Sequence, residues 1–159
     1  MSGTRTGIGY DIHPLETGRK LVLGGETIPF SMGLDGWSDA DVLVHAVIDS
    51  LLGAAAMGDI GRHFPAGNPE YKDISSLILL KEVVSKISSK GFSVGNIDAT
   101  VIAEKPVLKD YITKMRENLS RTVGIDIEQV SVKASTANGV GEIGNVEAIA
   151  AVAVSTIEE

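Results

Sequence analysis

The apolar run Thr6–Tyr10 reads as the end of a strand, and Asp11-Ile12-His13 follows it directly. Leu21–Leu23 and Thr27–Phe30 flank Gly24-Gly25, a hairpin signal. Ser38 opens a helix that runs to about Met57, with Asp39 and Asp41 in its first turn, where the helix dipole favours carboxylates. Gly58–Lys72 reads as a polar loop. Ser75 caps a second helix that reaches Ser89 and stops at Lys90-Gly91. Asn96–Glu104 reads as a strand, Leu108–Val123 as a helix closed by Gly124, and Gln129–Ser135 and Val146–Ile157 as strands. The elements predict an α+β fold: residues 1–159 as one domain, a mostly β-sheet layer covered by helices on one face, with Met1–Arg5 a disordered start. Val146–Val154 is apolar on both faces over much of its length, which calls for a subunit interface as well as a core.

Composition narrows the partners. The 159 residues carry a formal net charge of −7, with 43% hydrophobic and 22% charged residues. That balance suits one globular domain and argues against nucleic acid or an anionic membrane as the main partner. A small phosphorylated substrate then needs metal ions or backbone amides to meet its charge. There is no cysteine, so a metal site must be built from histidines and carboxylates. No apolar run is long enough to span a membrane and no signal-peptide pattern is present. The expected location is the cytoplasm, or a plastid-type stroma where a transit peptide has been removed.

Side chains alternate along a strand, so Asp11 and His13 point to one face. A carboxylate oxygen beside an imidazole nitrogen is a partial site for Zn²⁺ or a similar divalent ion. By itself such a tripeptide is most often a turn with a surface histidine, and it needs a third ligand. The chain holds three histidines. His45 lies in the first helix with Asp41 and Asp49 four residues to either side. That spacing puts all three on one helix face. For one helix alone the stripe reads as a solvated face. An imidazole flanked by carboxylates also fits a metal ligand supported from behind. Asp11, His13 and His45 together match a catalytic zinc with one open position, able to polarise a phosphate oxygen. A rival motif, the Gly-x-Gly-x-x-Gly of Gly139–Gly144, lacks both the following helix and the later acidic residue of a dinucleotide site.

Several longer motifs occur in order. They are Gly7-Ile8-Gly9-Tyr10-Asp11-Ile12-His13, Ser38-Asp39-Ala40-Asp41-Val42-Leu43-Val44-His45-Ala46, the run Leu51–Gly61, Phe64-Pro65, Gly95–Thr100 and Val132–Thr136. On these the chain resembles the 2-C-methyl-D-erythritol 2,4-cyclodiphosphate synthase family of the non-mevalonate isoprenoid pathway. The resemblance covers nearly the whole chain. It implies a phosphorus–oxygen lyase, with sheets packed together in a homotrimer and active sites at the subunit interfaces. The substrate it implies is 4-diphosphocytidyl-2-C-methyl-D-erythritol 2-phosphate, cyclised with release of CMP.

The resemblance also implies roles residue by residue. Asp11, His13 and His45 hold zinc or another divalent ion, and Mg²⁺ or Mn²⁺ accompanies the diphosphate. Asp11, His13 and Ser38 stand next to the substrate. Asp59 and Gly61 match residues that meet the ribose and erythritol. Ala103, Glu104, Lys105, Pro106, Val107 and Leu108 match the loop that receives cytosine, and Ser135, Thr136 and Asn138 the phosphate side. Thr136 and the position of Trp37 match groups that stabilise the transition state. The chain departs from the family there: Trp37 stands for a histidine, Asn138 for an acidic residue and Ala66 for a frequent aspartate. Trp has one N–H donor and no positive charge, so it serves the phosphate only by a hydrogen bond, or through the backbone amides of Trp37 and Ser38. These departures motivate a second expectation, a weakened homologue that binds cytidine nucleotide and metal without efficient turnover.

Overall fold

The computed structural model describes residues 3–159. Its strands are β1 (Thr4–Thr17), β2 (Leu21–Leu23), β3 (Glu26–Ile28), β4 (Met32–Leu34), β5 (Ser93–Ile102), β6 (Val130–Ser135) and β7 (Ala148–Glu158). Its helices are α1 (Val42–Ala54), α2 (Ile60–His63), α3 (Ser76–Ser89), α4 (Ile112–Val123) and α5 (Gly141–Gly144). Five strands form one sheet in the order β4-β1-β7-β5-β6, and β2-β3 is a separate hairpin. Pairing is antiparallel except between β5 and β6. The α+β layer expected from the sequence is therefore present. The expected disordered start does not extend to Thr4 and Arg5. Thr4 and Arg5 pair with Glu158 and Ile157, and the Arg5 guanidinium lies 4.8 Å from the centre of the Phe92 ring. Met1 and Ser2 fall outside the described residues.

The helix α1 is the centre of the core. Val42, Leu43, Val44, Ala46, Val47, Ile48, Leu51 and Leu52 are fully buried, so the helix is covered all round by the sheet and α3. The strand beneath it makes room. A Cβ on Gly9 would sit 1.9 Å from the Ala46 carbonyl oxygen, and one on Gly7 would sit 2.0 Å from that of Ser50. Two glycines on one face of β1 thus let the helix backbone rest directly on the strand.

The start of α1 differs from the sequence reading. Ala40 has φ +55°, a conformation rare without glycine, and regular helix begins only at Val42. Asp41 is the N-cap: its carboxylate accepts from Val44 N, Gly24 N and Gly25 N at 3.1, 2.9 and 2.7 Å. Burial and the charge of Asp39 push the Asp41 carboxyl up to about 6, against the pull of those amides. Asp39 is turned elsewhere. The polar loop also contains more structure than expected. Asp59 caps α2 through Arg62 N, and Asn68 caps a 3₁₀ turn at Pro69–Tyr71.

Candidate metal centre and nucleotide cavity

Asp11 and His13 lie inside β1, on the face that meets α1, and His45 faces them from the helix. Asp11 Oδ2 is 2.9 Å from His13 Nε2 and 3.0 Å from His45 Nδ1. Two ligand atoms each about 2.0–2.1 Å from a tetrahedral zinc lie roughly 3.3 Å apart, so these two distances need only a small relaxation; all three atoms lie within 4.8 Å of one another.

The outward nitrogens are fixed. His13 Nδ1 is 2.8 Å from the Asp35 carbonyl, which can only accept, so Nδ1 keeps a proton and Nε2, which faces Asp11, is the nitrogen a metal would take once Nε2 is deprotonated. His45 Nε2 is 2.8 Å from Ser76 Oγ and 3.2 Å from Ser38 Oγ. The Ser76 hydroxyl donates in a short bond to the Asp39 carboxylate, which also accepts Ser76 N at 3.0 Å. Ser76 Oγ is thus an acceptor for His45 Nε2–H, and Nδ1 is left for a metal. The sequence points to Asp41 and Asp49 as the support for His45. Neither hydrogen-bonds its ring: Asp41 caps the helix, and Asp49 accepts Ile60 N at 2.7 Å. Support comes from Asp39 through Ser76, which is fully buried. Replacing Ser76 with Ala is expected to weaken zinc binding about 10–100-fold, the usual scale for a lost ligand-orienting partner, as read by chelator competition.

Electrostatics suit a cation. Burial works to raise the Asp11 pKa, but hydrogen bonds and charge from His13 and His45 outweigh it and hold the carboxyl down at about 2. Burial works to lower His13, but the bond and charge of Asp11 and the Asp35 carbonyl raise it above the ordinary 6.5. Without metal, the His13 contribution to stability is complete below 6.5 and disappears as pH rises through the raised value. The Asp11 contribution is present above 3.8 and disappears as pH falls towards about 2. A metal must displace the proton on His13. Zinc affinity, measured by chelator competition from about pH 6 to pH 9, is therefore expected to rise by up to about tenfold per unit until His13 is deprotonated, then level off.

Around the centre is a cavity of about 230 Å³ walled by Trp37, Ser38, Gly61, Phe64, Ala66 and Tyr71 among others. Asp59 is not part of that wall; its carboxylate is taken by Arg62 N at 3.0 Å. Trp37 lines this cavity, and its indole N–H donates to the Asn68 carbonyl at 2.8 Å rather than being left for a phosphate. His63, the remaining histidine, binds the Met57 carbonyl through Nε2 at 2.9 Å.

A second cavity, of about 360 Å³, is lined by Ala103, Glu104, Pro106, Val107, Leu108, Ser135 and Thr136. Lys105 and Asn138, also expected in the site, do not line it, whereas Lys109 and Ile112 do. The Glu104 carboxylate accepts Ala137 N at 3.1 Å and Gly139 N at 3.4 Å, tying this loop to the turn after Thr136. Asn138 N and Thr136 Oγ1 are 3.3 Å apart in that turn. Lys133 pairs with Asp98 at 2.7 Å.

A sheet-borne carboxylate and imidazole, closed by a helix-borne imidazole and flanked by a substrate-sized cavity, define a metal-dependent α+β enzyme domain. The chain belongs to the YgbB family, whose model matches residues 4–158. It is 54% identical over 155 residues to the 2-C-methyl-D-erythritol 2,4-cyclodiphosphate synthase of Desulforamulus reducens, covering 98% of this chain and 99% of the relative. It is 52% identical over 155 residues to that of Dehalococcoides mccartyi, with the same coverage. Among solved structures, the bifunctional IspDF of Campylobacter jejuni superposes with a TM-score of 0.95 at 37% identity, over 99% of this chain and 43% of that longer one. The CDP complex of Plasmodium falciparum IspF superposes with a TM-score of 0.86 at 34% identity, over 98% and 96% of the two chains.

Proposed function

We propose that the chain is a 2-C-methyl-D-erythritol 2,4-cyclodiphosphate synthase, acting on 4-diphosphocytidyl-2-C-methyl-D-erythritol 2-phosphate. The observation that carries this reading is the Asp11/His13/His45 centre, with both histidines oriented, inside a YgbB-family fold. In the reaction a 2-phosphate oxygen bonds to the β-phosphorus, the bond from that phosphorus to its bridge with the α-phosphate breaks, and CMP leaves with the bridging oxygen. No protein nucleophile is required, so positioning and charge neutralisation supply the catalysis. Bound divalent ions, zinc at the Asp/His/His centre and Mg²⁺ or Mn²⁺ with the diphosphate, supply the positive charge that an acidic chain lacks.

The protein's own residues orient and enclose. Phe64, Ala66 and Tyr71 exclude water on the metal side, with Gly61 leaving space for the sugar. The 103–108 loop receives cytosine through backbone groups against the apolar Pro106, Val107 and Leu108. Thr136, beside Ser135, directs its hydroxyl to the transferred phosphate.

A homotrimer with interfacial sites accounts for two further observations. Asp11 shares a row of the sheet with Ala151, Val101 and Ala134, so three strand spacings, about 14 Å, separate the metal centre from the edge of the nucleotide cavity. Ala151 and Val101 between them are fully buried, and the two cavities share no wall. A neighbouring copy would bring its nucleotide cavity to this metal centre. The outer sheet face also exposes Ile8, Tyr10, Ile12 and Val154, an apolar surface that association would cover. CMP release from the substrate, together with sedimentation mass, tests the reading. Release that stops on chelation and returns with Zn²⁺ and Mg²⁺, from a protein of three-chain mass, is expected. Release that persists without metal, or from a monomer, would contradict it. Among the described residues no helix is long and apolar enough to cross a membrane.

A further inference from the structure

Trp37, the single tryptophan of the chain, is 39% exposed at the wall of the metal-side cavity. Its Nε1–H donates to Asn68 O at 2.8 Å across 31 positions of sequence. The same stretch of backbone holds the far end of the segment. Asp73 N donates to Trp37 O at 2.9 Å, and Asp39 N donates to Ile74 O at 3.0 Å. Between these anchors the segment relies on itself. Asn68 N reaches Pro65 O, Tyr71 N reaches Asn68 O, Lys72 N reaches Pro69 O, and Glu70 N reaches Asn68 Oδ1. Among the described residues, the indole supplies the one side-chain hydrogen bond that ties residues 65–72 to the rest of the protein; at the segment's end Tyr71 O also accepts Ile74 N at 3.4 Å.

What the segment carries matters for the site. Ala66 and Tyr71 wall the cavity, and Tyr71 packs edge-on against Phe64 with ring centres 5.4 Å apart. Without the indole bond the tip of the segment would be held only by local turns and by the packing of Tyr71 on Phe64, and substrate binding would have to order it. An indole has a single donor, and here it is spent on Asn68. It is not available to a phosphate oxygen while the segment is held.

We propose that Trp37 is a positioning residue: its indole N–H straps residues 65–72 over the metal-side cavity, so that Ala66 and Tyr71 form a ready wall for the substrate. The proposal rests on the cyclodiphosphate synthase reading and gives the position of the missing histidine a different task, binding by preorganisation rather than transition-state contact.

Trp37→Phe keeps an aromatic wall and removes the donor. Two measurements apply. In hydrogen exchange, the amides of residues 65–72 should exchange faster in the variant, with β1 and α1 unchanged. In steady-state kinetics, KM should rise about two- to tenfold, the scale of one net hydrogen bond, with kcat changed less than about threefold. Unchanged exchange in residues 65–72 would overturn the strap. So would a kcat loss of about 100-fold at constant KM, the mark of a lost transition-state donor. Absence of turnover in the parent protein would instead fault the assigned reaction, and the exchange measurement would still decide the strap.

Discussion

Asp11→Asn is expected to lose zinc affinity by at least about 100-fold and to lower CMP release by a comparable or larger factor. Asp11 Oδ2 is the one atom that both histidine nitrogens approach, at 2.9 and 3.0 Å. Its carboxyl is held ionised down to about 2, so at neutral pH it carries the only formal negative charge in the ligand set. An amide of the same shape offers a weak neutral oxygen, and its NH₂ would turn one donor towards an imidazole lone pair. A ligand lost outright should cost more than the tenfold to hundredfold attached to an orienting partner such as Ser76. The rate effect follows because removing a preorganised charge from phosphoryl transfer typically costs about 10²–10³-fold or more. Zinc content by metal analysis and the rate of CMP release are the two readouts. A variant that keeps both within a factor of three would remove Asp11 from the site.

Gly9→Val is expected to destabilise the protein by about 3 kcal/mol or more, the upper end of overpacking costs, because the added atoms meet helix backbone rather than yielding side chains. The first added carbon alone would lie 1.9 Å from Ala46 O and 2.7 Å from Ser50 N. Either α1 lifts or β1 shifts, and these two elements carry the metal ligands, so zinc affinity should fall with stability. For a chain of this size the thermal midpoint should drop by roughly 6–12 °C. Gly53 is the control on the same helix. A Cβ there would have its nearest neighbours at 3.8 and 3.9 Å, ordinary van der Waals contact. Gly53→Ala should therefore gain up to about 1 kcal/mol from helix propensity. Equal midpoints for the two variants would contradict the close approach of α1 to β1.

The contrast between Gly9 and Gly53 also marks what can be read in the chain. Period-two alternation is enough to place Asp11 and His13 on one face, because alternation is a property of any extended backbone. The helix bearing His45 is legible from its apolar run, and with only three histidines in the chain His45 is legible as the third ligand, which the family resemblance also implies. What cannot be read is who holds the ligands. The Asp35 carbonyl behind His13 is invisible to side-chain patterns. Ser76 meets Asp39 across 37 positions, and nothing local marks that contact. Asp39 looks like a first-turn acid, but the φ of +55° at Ala40 starts the helix later and frees Asp39 for Ser76. Asp41 and Asp49 keep the right spacing and take other tasks, because buried carboxylates go where unpaired amides are. The loop at residues 58–72 reads as irregular, since its order comes from side-chain caps and from the Trp37 bond, both dependent on the folded site. The family resemblance implies Lys105 in the cytosine loop and Asn138 on the phosphate side, whereas the cavity is lined by Lys109 and Ile112 and by neither of them.

Phosphorus NMR on the purified protein with substrate, Zn²⁺ and Mg²⁺ tests the central claim most directly, since it distinguishes ring closure from simple hydrolysis. The account predicts that the cyclic diphosphate and CMP appear in equal amounts as the substrate disappears, and that chelation halts both. A linear phosphorylated product, or substrate that binds and stays unchanged with both metals present, would contradict it.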